Sequence, residues 1–389
     1  MPGTSAPIEI EWSLLRAACA ELPAEEKAPR IGALLASQIR WNALLGLAEH
    51  HGVQPILAQS LVRFGDQVPA EGLITLKQSY QANLHRALLL STEFVRIAGR
   101  LSQAGIEFIP YKGLALAETV YGDIALRQSG DIDLLIHATD LKRVRVAVAE
   151  LGYTPHGMLS DDEEEAYLKS GYECAFDSSA GRNLLEVQWA IQPHFYAVDL
   201  DLEKLFSRAQ TAKVAGLDVK SLAAEDLFVV LALHAAKHVW GRLIWLCDLV
   251  RISHLPTLNW KWIGDQAQAL GIVRILRVTL LLAQRLLSSA LPASAAENLP
   301  EDSTAGTLAT EIEGHISSEK IYDVESLAYF RLMLRLRERR IDQLRFLSRL
   351  VLTPGPGEWA IVRLPKHLVP LYRVIRVARL AARTVGSRI

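Results

Sequence analysis

The sequence predicts an α+β protein: a small mixed-sheet core with an N-terminal helical segment before it and a C-terminal helical domain after it. Three observations predict this. Residues 10–100 carry apolar side chains at helical period, as in RWNALLGLAEHHGVQPILAQSL and LHRALLLSTEFVRIAGRL. Residues 105–191 switch to short β-favouring runs alternating with helical ones. From about residue 206 the helical period returns. The expected limits are therefore 1–100 for the helical segment, 101–205 for the α+β core and 206–389 for the helical domain with its tail.

The elements follow in order. Gly52, Pro55, Gly65 and Pro69 interrupt the first apolar pattern and divide it into about four helices. GIEFIPY (105–111) reads as a strand, LALAETVYG (114–122) as a helix and DIDLLI (131–136) as a strand. A helix over 140–152, a strand at YECAFDS (172–178), a Gly-Arg-Asn turn and a strand LLEVQWAI (184–191) complete the core. The strongest helical pattern is AEDLFVVLALHAAKHVWGRLIWLCDLVRIS (224–253), expected as one long helix, with a polar loop near LPASAAENLPEDSTAG before the last helices. The acidic run DDEEE (161–165) suits a helical first turn and is assigned no function.

Half of the 389 residues are hydrophobic and 22% are charged, which places the chain among globular proteins. Its 42 Lys and Arg nearly balance 43 Asp and Glu, so net charge alone points to no nucleic-acid partner. The balance is uneven along the chain: residues 331–389 hold 14 basic and 3 acidic residues. Cys19, Cys174 and Cys247 are odd in number and match no disulfide or metal spacing, and the N-terminus has no signal-peptide pattern, so a cytoplasmic location is expected. No apolar run reaches bilayer length.

Chemistry concentrates at RQSGDIDLLI. Side chains two apart on a strand share a face, so Asp131 and Asp133 project together, and like charges so close repel unless a cation lies between them. Hard oxygen donors of this kind suit Mg²⁺, with Mn²⁺ as a substitute and two ions within reach if a third carboxylate joins. Glu186, an acid inside an apolar β-run, is the candidate third ligand. The alternative is structural: Asp131 caps a turn and Asp133 pairs with an arginine such as Arg127. Upstream, FIPYKGLAL reads as strand, Lys-Gly, helix, a pattern in which Lys112, Gly113 and a helix N-terminus hold a triphosphate. Ser129 and Gly130, in the turn before the aspartates, and Arg127 join them as nucleotide-binding candidates.

The order YKGLALAETVYGDIALRQSGDIDLLI, LGY, LLEVQW and HAAKHVWGRLIWLCDL resembles the uncharacterised nucleotidyltransferase family within the polymerase-β-like nucleotidyltransferase superfamily, over residues 80–255 and more loosely the whole chain. The resemblance implies Asp131, Asp133 and Glu186 as catalytic metal ligands, with NTP as substrate. Lys112-Gly113 stands where that superfamily has Gly-Ser, and Gln188 where relatives often carry histidine.

In HAAKHVWGRLIWLCDL, His234, Lys237, His238, Arg242, Trp245 and Asp248 fall on one face of a continuous helix. Buried cations need anionic partners, so His234, Lys237, His238 and Arg242 either meet phosphates, with Asp248 orienting one of them, or form an interdomain ion-pair network. The His234–His238 spacing lacks the glutamate and third ligand of a zinc site. No GxSxG, Walker A or suitably placed GxGxxG occurs. In the tail, a helix from Pro370 would line up Arg373, Arg376, Arg379 and Arg383. Such a stripe, with Trp359 and Tyr372 as anchors, suits peripheral contact with an anionic membrane such as the inner face of the cell membrane; docking on the acidic remainder and a grip on RNA are the alternatives.

The expected function is Mg²⁺-dependent transfer of a nucleoside monophosphate from an NTP to an unidentified acceptor: a peptide natural product, small molecule, glycan precursor or tRNA. The alternatives are γ-phosphoryl transfer from the same site and a catalytically silent binding protein.

Overall fold

The computed structural model describes residues 9–386 apart from 157–160, 179–180, 318–322, 324–325, 356–357, 359–360, 363, 365–367 and 369–370. Five helices come first: α1 (Glu9–Cys19), α2 (Ala24–Leu35), α3 (Trp41–His50), α4 (Gln54–Leu61) and the long α5 (Ala70–Gln103). The core contains β1 (Phe108–Pro110), α6 (Gly113–Thr119), β2 (Ile132–Ile136), α7 (Leu141–Ala149), β3 (Thr154–Pro155), α8 (Asp161–Ser170), β4 (Glu173–Ser178) and β5 (Gly181–Gln188). After α9 (Leu202–Arg208) comes a hairpin of β6 (Gln210–Val214) and β7 (Leu217–Ser221). Then follow α10 (Ala224–Lys237), α11 (Leu243–Ser253), α12 (Trp260–Leu270), α13 (Val273–Leu287), α14 (Ala293–Asn298), α15 (Ser303–Ser317), α16 (Leu327–Arg335), α17 (Arg340–Leu352) and α18 (Tyr372–Gly386).

The fold is α+β with a five-stranded mixed sheet in the order β1-β2-β5-β4-β3. Among the described strands only β2 and β5 run parallel, and their register sets Asp133 beside Glu186. Alternation along the strands then divides the sheet by face. Ile132, Leu134, Ile136, Leu185 and Val187 pack with Phe94, Ile97 and Leu101 of α5 and Val144 and Val148 of α7. The opposite face, carrying Ile109, Tyr111 and Leu135, joins the core of the helical body. On this second face stand the acids.

Three local expectations need correction. The Gly-Arg-Asn segment is the start of β5, not a turn, because Gly181 already pairs with Ser178. The β6–β7 hairpin lies where only helix was expected; its alternating QTAKV and LDVKS runs flank Ala215 and Gly216, both at positive φ, which gives the tight turn such hairpins need. The helix over 224–253 is two helices. α10 ends at Lys237, and Val239 (φ 53) and Trp240 (φ 47) turn the chain before Gly241. The Trp240 indole is fully buried and its Nε1 donates to Thr279 Oγ1 at 3.0 Å, and that anchorage holds a backbone conformation costing about 1–3 kcal/mol per residue.

The tail helix is fastened to the protein, in the manner of the docked alternative. Arg376 and Arg379 turn inward to the buried carboxylate of Glu358, at 3.3 and 2.6 Å, and Arg376 Nε donates to Leu350 O. Tyr372 is buried, donating to Val362 O at 3.0 Å, and so is no interfacial anchor. The arginine stripe is thus split by the need to neutralise one buried acid. Trp359 and the side chain of Arg383 lie outside the described residues.

One buried group makes a pH prediction. His51 is fully buried against Trp12, neither ring nitrogen has a hydrogen-bond partner, and burial followed by His50 and Arg242 lowers its pKa to about 3. The unfolded chain therefore binds the proton more readily below its ordinary value of 6.5, and stability present above that pH falls on acidification. Urea unfolding is expected to show a loss of about 2 kcal/mol from this residue between about pH 6.5 and pH 5. His51→Phe should flatten that part of the slope.

Candidate active site

Gly113 places the first part of the site. It begins α6 at φ +49, and a Cβ there would stand 2.7 Å from Ser129 Oγ and 3.0 Å from the Asp131 carbonyl oxygen. Only glycine permits both the backbone conformation and this approach. The same turn is held by Ser129 Oγ donating to Asp131 O at 3.2 Å and by Arg86 of α5 donating to Gly130 O. Gly113→Ala is expected to destabilise the protein by about 1–3 kcal/mol in chemical denaturation. An unchanged midpoint would mean that the Ser129–Asp131 turn yields at no cost.

Asp133 points from β2 onto the acidic face, where Lys112 Nζ meets its Oδ1 at 2.7 Å. Gln188, at the end of β5, sits at the centre: its amide nitrogen lies 3.4 Å from Asp133 Oδ1, 3.3 Å from Glu173 Oε2 and 3.4 Å from Glu186 Oε2. Its amide oxygen accepts from the Tyr111 hydroxyl. One neutral donor thus serves three carboxylates, and repulsion remains. Burial, then Asp133, pushes Asp131 up to about 6; burial, then Asp133, Glu173 and Asp131, pushes Glu186 up to about 8. Burial opposes the charge of Lys112, but Asp133 and its neighbours outweigh it and raise the ammonium's pKa.

The opposite wall is basic and aromatic. Lys237, at the end of α10, donates to Tyr172 OH at 3.0 Å and lies 4.3 Å from that ring's centre, while the Tyr172 hydroxyl donates to Glu173. His234, His238 and Trp245 cluster with ring centroids 4.9–5.3 Å apart. Burial, then Glu173 acting the other way, leaves Lys237 lowered to about 8; burial and nearby cations hold His238 at about 3 and His234 well below its ordinary range. One wall resists full ionisation of its carboxylates and the other resists protonation of its bases. An ion and an anion between them would relieve both.

All the sequence-predicted site residues line one cleft of about 380 Å³: Lys112, Gly113, Arg127, Ser129, Gly130, Asp131, Asp133, Glu186, His234, Lys237, His238 and Arg242. The turn after α10 brings Arg242 round to the wall that the expected continuous helix would have supplied. Arg127 reaches the cleft but its guanidinium is committed elsewhere, to both oxygens of Asp248 at 2.9 Å. Asp248 therefore orients Arg127, not a cation of its own segment. Tyr172, Glu173 and Gln128 also line the cleft and were missed. Glu173 carried a signal, an acid in the alternating run ECAFD, but its strand partner could not be read from local pattern.

The donor set fits Mg²⁺ as a partial shell. Carboxylate oxygens gather on one face, and Mg²⁺ commonly takes one or two of them with water and phosphates supplying the rest. Among the described residues no group of three or more His, Cys, Asp or Glu forms a ready cage, and Lys112 already neutralises one oxygen of Asp133.

A second, open groove of about 560 Å³ adjoins the cleft through Gln128 and Ser129, lined also by Gln54, Thr75, Ser79, Asn83 and Arg86.

A family model described as an uncharacterised nucleotidyltransferase matches residues 37–288, which take in every site residue named above. No curated protein and no solved structure matches the chain.

Proposed function

Because that match takes in well over half of the 389 residues, the chain belongs to the uncharacterised nucleotidyltransferase family, and on that premise we propose that it transfers a nucleoside monophosphate from an NTP to an acceptor hydroxyl in a Mg²⁺-dependent reaction. The observation that carries the reading is the single cleft with carboxylates on the sheet face and cations on the helical wall. A magnesium nucleotide has the complementary charge for both.

In this reading Asp131, Asp133 and Glu186 are the residues that would hold Mg²⁺, which supplies Lewis-acid stabilisation of phosphate charge when bound. Lys112, Lys237 and Arg242 neutralise the triphosphate, and Tyr172 steers Lys237 through their hydrogen bond. Trp245 with His234 and His238 offers ring faces to a base. The acceptor hydroxyl approaches from the adjoining groove, whose amide and hydroxyl lining suits a hydrogen-bonding molecule. A bond forms between that oxygen and the α-phosphorus as the bond to the β-phosphate oxygen breaks, and pyrophosphate leaves. The hydroxyl proton passes to a carboxylate oxygen of the acidic face that Mg²⁺ does not occupy.

The test is incubation of the protein with Mg²⁺, an extract of its source and each NTP labelled at the α or the γ phosphate. Label moved from the α position supports nucleotidyl transfer and marks the acceptor. Label moved only from γ would make the protein a phosphotransferase. No transfer from either, with no Mg-NTP binding in calorimetry, would leave a binding protein.

A further inference from the structure

The C-terminal helices lie beyond the family-matched residues 37–288 and expose an apolar face that the cleft does not use. α17 buries Asp342, Phe346 and Leu350. Its other side presents Ile341, Leu344, Leu347, Val351 and Leu352, with Ile341 and Leu344 about 60% exposed (59% and 63%). α18 packs beside it, fastened by Arg376 Nε to Leu350 O, and adds Val374 and Val377. More than half of the exposed large apolar side chains among the described residues fall within 341–377, under a tenth of the chain. Five exposed aliphatic side chains on one side of α17 suit a contact surface.

Charge selects the occupant. The only acids in residues 341–389 are Asp342 and Glu358. Each is 1% exposed and already ion-paired, Asp342 with Arg339 and Arg345, Glu358 with Arg376 and Arg379. The charge that residues 340–389 themselves show to solvent among the described residues is therefore positive, including Arg340, Arg345 and Arg373, while Asp199 of a neighbouring segment pairs with Arg349. A second copy related by a two-fold axis would oppose its own basic rim. Among the described residues nucleic acid would find aliphatic side chains where it needs stacking rings, since Phe346 and Tyr372 are buried. No described helix is long and apolar enough to cross a bilayer.

We propose that α17 and α18 together form a docking face for an anionic lipid bilayer, lying on its surface with aliphatic side chains in the interface and arginines at the headgroups. The apolar part comes chiefly from α17, and the reading is independent of the chemistry in the cleft.

The experiment is co-sedimentation of the full chain with vesicles of phosphatidylcholine alone and of phosphatidylcholine mixed equally with phosphatidylglycerol. Binding is expected to the mixed vesicles, about tenfold or more weaker to the neutral ones, and weakened by salt. The variant Ile341→Glu/Leu344→Glu alters two exposed positions and should lose binding with its circular dichroism and unfolding midpoint unchanged. Equal binding to both vesicle types, or none to either, overturns the proposal. So does a wild-type dimer that the variant converts to monomer, which would give the face to a second copy. Retention of a single-stranded RNA probe that the variant abolishes, without vesicle binding, would give it to nucleic acid.

Discussion

Replacing Asp131 with asparagine is expected to lower α-phosphate transfer roughly a thousandfold while raising the stability of the fold. The first effect follows if the carboxylate pair holds the charge that stabilises the phosphates, a contribution of about 4 kcal/mol. The second follows from electrostatics alone. Burial and Asp133 move the Asp131 carboxyl from 3.8 to about 6. The unfolded chain is then the more ionised form as pH rises from about 4 to about 6, so at neutral pH the charge works against folding. Asparagine removes that penalty, and an increase of about 1–2 kcal/mol in urea unfolding is expected, allowing for its partial exposure. Added Mg²⁺ should stabilise the wild type and leave the variant unmoved. Activity lost with stability gained is the pattern of a residue kept for chemistry. Unchanged transfer, or a variant that unfolds more easily, would instead mark Asp131 as a structural turn residue.

The second large effect belongs to the contact between the core and the helical body. Arg127 Nε and Nη2 each donate to Asp248 at 2.9 Å, and the Tyr121 hydroxyl donates to the same carboxylate at 2.7 Å. Arg127 is 7% exposed and Asp248 1%, so neither charge has water to fall back on. Asp248→Ala is expected to cost about 3–5 kcal/mol, because it strands a buried guanidinium and a phenol. Arg127→Met/Asp248→Leu should recover most of that loss, since an apolar pair of similar volume avoids the desolvation cost. Equilibrium denaturation of the wild type, the single variant and the double variant measures both. A single variant within about 0.5 kcal/mol of wild type would mean that water enters and solvates Arg127.

Much of the candidate site was legible in particular stretches. DIDLLI announces two acids on one strand face because side-chain direction alternates residue by residue, whatever surrounds the strand. LLEVQW exposes Glu186 as a misplaced acid by the same logic, and KGLA marks a backbone position where a side chain would not fit. Gln188 was visible only as a departure from relatives, and Glu173 only as an acid in an alternating run, because their roles arise from strands β4 and β5 lying side by side. The break after Lys237 was masked by an apolar pattern that continues through VWGRLIWL, although Gly241 was there to mark it.

By itself the sequence determined the α+β class, the order of helical and β-rich regions, and the residue types that crowd the cleft, since these depend on neighbours within a few positions along the chain. Tertiary structure alone decided that Arg127 pairs with Asp248 rather than with the acidic pair, that one neutral amide sits among three carboxylates, and that α17 turns aliphatic side chains outward. The Arg127–Asp248 pair closes 121 residues of chain and the Gln188–Asp133 contact 55, and periodicity carries no record of which faces meet over such distances.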